Sequence, residues 1–458
     1  KSADLALDDL RRAGLAEIPL DSAHSVTAPG TVAAWADLLA RHGRMALADV
    51  LQPAIDYAAN GYPVSEIIAA AWQRSEAKLR RLPSGLELLP GGRAPAAGEI
   101  VRLPELARTL QIIAEGGADA FYRGELAQRM AAFVQAQGGR LSAADLASHR
   151  STWDQPISVD YRGLTVWECP PNGQGLAALL ALGIAEGFDL AAAGELDRWH
   201  LLIEAMRLAF ADARQWVADP AFVDLPLDIL LSPGYLAERR RLIDRQRANP
   251  DPRSGLPISR RFAPQPAPKS DTVYLTAVDG EGNACSFINS LYHGFGSGLV
   301  VPGAGIALQN RGALFSLDPA HPNRLEPGKR PYHTIIPAMV TRGGELWASY
   351  GVMGGFMQPQ GHLQVLVNLV DLGMSPQEAL DAPRFCLLEG EPAGRLAVEA
   401  DAGEGLIAAL AGRGHGVLPV SGLERLLFGA GQVIRRDAAT GLLTAGSEPR
   451  RDGCAVGW

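Results

Sequence analysis

The chain has 458 residues, a formal net charge of −8 and 47% hydrophobic residues. That length suits two or three average domains or one large one, with apolar material enough for a sizeable core. The acidic balance leaves no electrostatic footprint for nucleic acid, and no apolar run approaches the ~20 residues that cross a bilayer.

The four cysteines, Cys169, Cys285, Cys386 and Cys454, form no C-x-x-C. The nine histidines form no H-x-x-x-H. Neither a zinc site, a disulfide framework nor a metalloprotease helix is expected, and no metal or cofactor is called for. The chain opens on Lys1 without a basic-then-apolar start. A cytoplasmic protein is expected, with periplasmic export as the alternative.

Residues 1–270 read mainly as helices. Asp8 to Arg12 suggests an exposed charged helix. Thr31 to His42 and Leu47 to Asn60 carry apolar residues at the 3.6-residue period, with turn signals at Gly43 and Gly61-Tyr62-Pro63. Leu103-Pro104-Glu105 starts another helix, expected to end near Gly116-Gly117. Ser142 to Asp145 reads as a helix start. Pro156 to Asp160 and Leu164 to Cys169 read as a hairpin around Tyr161-Arg162-Gly163. Asp197 to Trp216 is expected to be a long amphipathic helix, and Glu238 to Arg241 a solvated helix face.

Composition changes near residue 245. Asn249 to Gly255 and the proline run to Pro268 read as a linker. A β-rich, Gly-rich segment starts at Thr272, and Asp279-Gly280-Glu281-Gly282-Asn283 is a turn into a second strand, Ala284 to Ser290. One later helix is marked by Ser375-Pro376-Gln377-Glu378, an N-cap, an N1 proline and a capping-box Glu. With no regular βαβ alternation, the pattern argues for α+β layers.

A hydroxyl residue at the mouth of a strand, behind a loose linker, suits a self-cleaving precursor. Cleavage before Thr272 would put a free α-amine on the residue that carries the hydroxyl, and that amine can act as its base. Gly354-Gly355 follows the strand Leu346 to Tyr350 and can turn backbone amides outward, as an oxyanion hole requires; a tight turn is the alternative. Gly294 to Gly298 lacks the Lys-Ser/Thr of a phosphate loop. Gln309-Asn310-Arg311-Gly312 and Lys329 to Thr334 are rich in donors that could hold a carboxylate, or are ordinary surface loops.

These stretches together resemble the γ-glutamyltranspeptidase family of N-terminal-nucleophile hydrolases. Thr27 to Ala33 resembles the family's T-P-G-T-V-A-G, and Pro156 to Gly163 its P-I-S-G-D-Y-R-G. Cys169-Pro170-Pro171-Asn172-Gly173-Gln174-Gly175 stands in place of P-P-P-S-S-G-G, and Thr272 to Asp279 in place of T-T-H-Y-S-V-V-D. Lys329-Arg330-Pro331, Met353-Gly354-Gly355, Ala382 to Phe385 and Glu448-Pro449-Arg450 match further motifs in order.

The resemblance implies a four-layer αββα sandwich and self-cleavage between Asp271 and Thr272. Residues 1–271 would form a large subunit and 272–458 a small one, associated in one structural domain, with a dimer of such heterodimers a further expectation. Thr272 would be the nucleophile, Ser290 its support, and Gly354 and Gly355 the oxyanion hole. Where the family holds a substrate ammonium with Asn, Gln and Asp, this chain has Tyr292, Arg311 and Leu314. Two carboxylate-binding serines are replaced by His333 and Thr334.

The expected substrate is therefore a small anionic amide held by Arg311 and His333, oxamate being the favoured example, as in purine breakdown. Transfer of a γ-glutamyl or other acyl group is the alternative. An inactive binding protein with the same fold is the other.

Overall fold

The computed structural model describes residues 7–257, 270–388 and 395–458. The proline run before Thr272 lies outside them. Two compact units emerge, one of residues 1–153, 290–319 and 324–331, the other of residues 154–289, 320–323 and 332–458. Each unit draws residues from both sides of Thr272.

The first unit is helical. Thr31–His42 and Leu47–Asn60 form helices with the boundaries that the apolar period sets. Val32, Leu51, Ile55, Ile113, Met130 and Val134 share a core with Leu299, Val301 and Leu308 from far along the chain. Leu7–Arg12 is helical but buries Leu10, so its charged face is only one side. The helix starting at Pro104 does break at Gly117, where φ is +65°, but it resumes to Tyr122. The resumption is tertiary in origin. Phe121 and Tyr122 are buried, and the Tyr122 hydroxyl donates to the Pro29 carbonyl at 2.6 Å.

The second unit is built on strands β1 (Ile157–Tyr161), β2 (Leu164–Glu168), β3 (Ser270–Val278), β4 (Ala284–His293), β5 (Ala338–Arg342), β6 (Glu345–Met353), β7 (Ala430–Arg436) and β8 (Leu443–Ser447). The last four residues of β4 belong to the first unit. Six strands form one antiparallel sheet in the order β8-β7-β6-β5-β2-β1. β3 and β4 form a separate two-stranded sheet, and β3 packs on β6 and β7. The β1–β2 hairpin turns at Arg162 (φ +53°) and Gly163 (φ +74°), the pair of left-handed residues that a tight hairpin needs. The expected turn between β3 and β4 is closed by Asp279, whose carboxylate accepts from the Glu281 and Asn283 amides.

Helices α1 (Gly175–Ala185), α2 (Glu195–Trp216), α3 (Pro233–Arg240), α4 (Met357–Val370) and α5 (Pro376–Asp381) complete this frame. α1 packs on β1 and β2, and α4 on β6. α5 begins with the capping box that Ser375 and Glu378 announce. Among the described residues, no helix is long and apolar enough to cross a membrane.

Three expectations need correction. α2 is not amphipathic with a wet polar side, because its His200, Glu204, Arg207 and Asp212 are all buried. The α3 face is not wholly solvated either. Arg239 is 2% exposed and pairs with Asp212 at 2.9 Å, while Arg240 donates to the Gly183 and Ile184 carbonyls. The segment from Asn249 to Gly255 has no regular structure, as expected of a linker, but it is not loose. The Asn249 amide donates to Glu204 at 2.9 Å and the Gly255 amide to Asp212 at 2.8 Å. The buried carboxylates of α2 thus serve to hold this strap.

Candidate active site

β3 alternates strictly. Thr272 and Tyr274 are buried while Val273 is 65% and Leu275 47% exposed, the period-2 pattern of a strand with one face packed. The packed face lies on β6. Thr276 Oγ1 donates to Ser349 Oγ at 2.6 Å. Two residues back along β3, the Tyr274 ring covers Gly351, where a Cβ would meet the ring at 2.6 Å. The Tyr274 hydroxyl shares a 2.7 Å hydrogen bond with Ser286 Oγ on β4. From the Tyr274–Gly351 contact β3 runs back to the buried Thr272, and β6 runs on to Met353 and Gly354-Gly355.

β6 runs on past Tyr350 to Met353, and the glycine pair joins it to α4. Gly354 has φ +137° and Gly355 φ +62°, conformations that favour glycine. The Gly354 carbonyl accepts from the Met357 amide at 3.1 Å, and the Gly355 carbonyl from the Gln358 amide at 3.2 Å. These carbonyls satisfy amides that the first turn of α4 leaves open. Because the peptide between them is planar and trans, a Gly354 carbonyl aimed at α4 sends the Gly355 N–H the opposite way. That amide can therefore meet a developing oxyanion.

The turn before α1 supplies a residue that the sequence analysis left without a role. Gln174 is fully buried, and its Nε2 donates to the Thr334 carbonyl at 2.8 Å and to the Gly355 carbonyl at 2.7 Å. Its Oε1 accepts from the Tyr332 hydroxyl at 3.1 Å, and its backbone amide donates to the His333 carbonyl at 2.9 Å. His333 in turn donates its amide to the Asn172 carbonyl at 2.8 Å. So one residue, Gln174, ties His333 through its backbone amide and Thr334 and Gly355 through its side chain. The available signal was a polar residue between the Pro170-Pro171-Asn172-Gly173 turn and a wholly apolar helix, where the family motif has Gly.

Beneath this turn, Glu168 Oε1 and His362 Nδ1 lie 2.7 Å apart with both side chains fully buried. Burial pushes the Glu168 carboxyl well up and the His362 imidazole down to about 3. Both directions favour a neutral hydrogen-bonded pair over an ion pair.

The first unit holds Ser290, Tyr292 and Arg311. Ser290 Oγ accepts from the Tyr292 amide at 2.9 Å, and Tyr292 sits at φ +77°. Arg311 is 3% exposed at the start of a short 3-10 turn ending at Leu314, with its guanidinium carbon 5.0 Å from the Tyr292 ring centre. Burial lowers its pKa to about 9, which leaves it a cation at neutral pH. Its neighbours are fixed: Gln309 accepts from the Arg311 amide and donates to the Thr27 carbonyl, and Asn310 accepts from the His293 amide. The donor-rich stretches are thus not ordinary surface loops, since Asn310, Arg311, Lys329 and Thr334 are all buried. They also explain the early motif, because Thr27 is the anchor for Gln309.

A family model described as gamma-glutamyltranspeptidase matches residues 2–458. The chain belongs to that family. Its α+β architecture is that of the self-processing N-terminal-nucleophile hydrolases, the αββα class. The crystal structure of a cephalosporin acylase from Bacillus halodurans superposes with a TM-score of 0.92, at 44% identity over 100% of this chain and 83% of that one. A Bacillus subtilis protein named glutathione hydrolase-like YwrD proenzyme is 40% identical over 97% of this chain and 83% of its own length. The oxamate amidohydrolase proenzyme of Klebsiella pneumoniae is 36% identical over 95% of this chain and 81% of its own.

Proposed function

We propose that the chain is a proenzyme that cuts itself between Asp271 and Thr272 and then hydrolyses a small amide bearing a carboxylate. Thr272 Oγ attacks the amide carbonyl. The Thr272 α-amine takes the hydroxyl proton and passes it to the departing nitrogen. The Gly355 N–H, with that of Gly354, stabilises the oxyanion of the tetrahedral intermediate. Water, activated by the same amine, then releases the acid and restores Thr272. The large and small subunits stay together, since each compact unit draws on both sides of the cut.

The observation that carries the substrate class is Arg311, a buried cation whose guanidinium lies near the face of Tyr292. A substrate carboxylate suits such a site, and an ammonium would be repelled. Oxamate is the substrate we favour, and its cleavage yields oxalate and ammonia. The name of one relative, oxamate amidohydrolase, supports it. The 44%-identical cephalosporin acylase structure favours a second reading, hydrolysis of a larger acyl amide at the same nucleophile. A panel of oxamate, uncharged oxamide, a cephalosporin amide and glutathione, scored for amide cleavage, separates the readings. Oxamate should be the best substrate. Preferential cleavage of glutathione would overturn the anionic-amide reading.

A further inference from the structure

We propose that Gln174 is a positioning residue for the amide-cleaving step, holding the Gly354-Gly355 loop in register with Thr334 and His333. This rests on the function proposed above. The glycine pair has no side chains and no strong conformational preference of its own, so something outside it must choose its geometry. The α4 amides fix one side of each carbonyl. Gln174 fixes the other side of Gly355, and with the same nitrogen it fixes Thr334.

The arrangement requires an amide. Both N–H groups of Nε2 point at carbonyl oxygens, and Oε1 takes the Tyr332 hydroxyl. A carboxylate offers no donor and would set a negative charge against two carbonyls. An asparagine is one methylene short. A methionine of similar length offers no donor at all. One nitrogen of Gln174 joins Gly355 to Thr334, so replacing its side chain cuts that link without touching Thr272.

The test uses matured full-length enzyme carrying Gln174→Met or Gln174→Glu. Gln174→Met should lower kcat by about 10²-fold, the scale of a displaced oxyanion donor. KM should stay within about threefold, because ground-state binding is not the interaction removed. Gln174→Glu adds a pH signature. The neutral acid can donate one hydrogen bond where the carboxylate donates none. Its kcat relative to wild type should therefore rise as pH falls, while that of Gln174→Met should not. Should the Met variant fail to fold, the Glu ratio alone decides. Folded variants with wild-type kcat, or a Glu-to-wild-type ratio flat with pH, would overturn the proposal while leaving the hydrolase reading intact. A wild type inert toward every amide would overturn both.

Discussion

The ring of Tyr274 lies where a side chain on Gly351 would have to stand, 2.6 Å from the position of a Cβ. This contact docks β3 on the main sheet two residues past Thr272. Packing this close tolerates no added methyl, because backbone on one side and a buried aromatic on the other leave little to relax. Gly351→Ala should destabilise the Thr272→Ala precursor by about 1–3 kcal/mol in denaturant unfolding. In an otherwise native chain it should also slow self-cleavage. Unchanged stability and normal cutting would mean that β3 is not registered through this pair.

Gly354→Ala tests the proposed oxyanion loop. At Gly354 φ is +137°, and a Cβ would approach the Gly429 Cα to 3.0 Å and the Met357 Cβ to 3.4 Å. Both kcat and the thermal midpoint should fall, kcat by roughly 10²-fold or more. A variant with native stability and native kcat would place the oxyanion donors elsewhere.

Arg311 governs substrate choice in the proposed reaction. Arg311→Leu should raise KM for oxamate through loss of a charge-assisted contact, about 1.5–3 kcal/mol. It should change KM for uncharged oxamide far less. Lysine should rescue only in part, since it lacks the planar fork. Equal effects on both amides in steady-state assays would remove Arg311 as the carboxylate anchor.

Glu204 makes a prediction about pH. Burial, partly offset by Arg207 and the Asn249 amide, raises its pKa from 4.5 to about 7. A folded value above the unfolded one means the folded state holds the proton more tightly. That contribution to stability is complete below about pH 4.5 and is lost as pH rises through about 7. Glu204→Gln keeps an acceptor for Asn249 and removes the titration. Its thermal midpoint minus that of wild type should grow more positive from pH 4.5 to pH 8. The nearby His200 and His415 titrate in both proteins and cancel in the difference. A constant difference across that range would show that Glu204 does not titrate as the burial argument requires.

What the sequence made legible was local. The helices Thr31–His42 and Leu47–Asn60 carry their own apolar period, and α5 carries its own capping box. α4 gave no such mark. It is buried almost all round, with Gln358, Gln360, His362 and Gln364 inside, so no polar stripe reveals the period. Two of them meet a strand distant in sequence, Phe385–Leu387: Gln360 and Gln364 accept from the Leu387 and Phe385 amides. The misread Arg239, Glu204 and Asp212 follow the same rule, since charge patterning reports exposure only when no partner lies across the fold. At the proposed site, ordered motifs pointed to Thr272 and Gly354, and a departure from the family's pocket pointed to Arg311. Gln174 escaped because its value lies in three contacts with residues more than 150 positions away.

The central claim is the cut before Thr272, and the most direct measurement is the mass and N-terminal residue of the fragments of purified wild-type protein. The account predicts two fragments that co-elute under native conditions, the smaller beginning at Thr272, and a single uncut chain for Thr272→Ala. A wild type that stays intact while fully active, or a small fragment that begins at another residue, would contradict it.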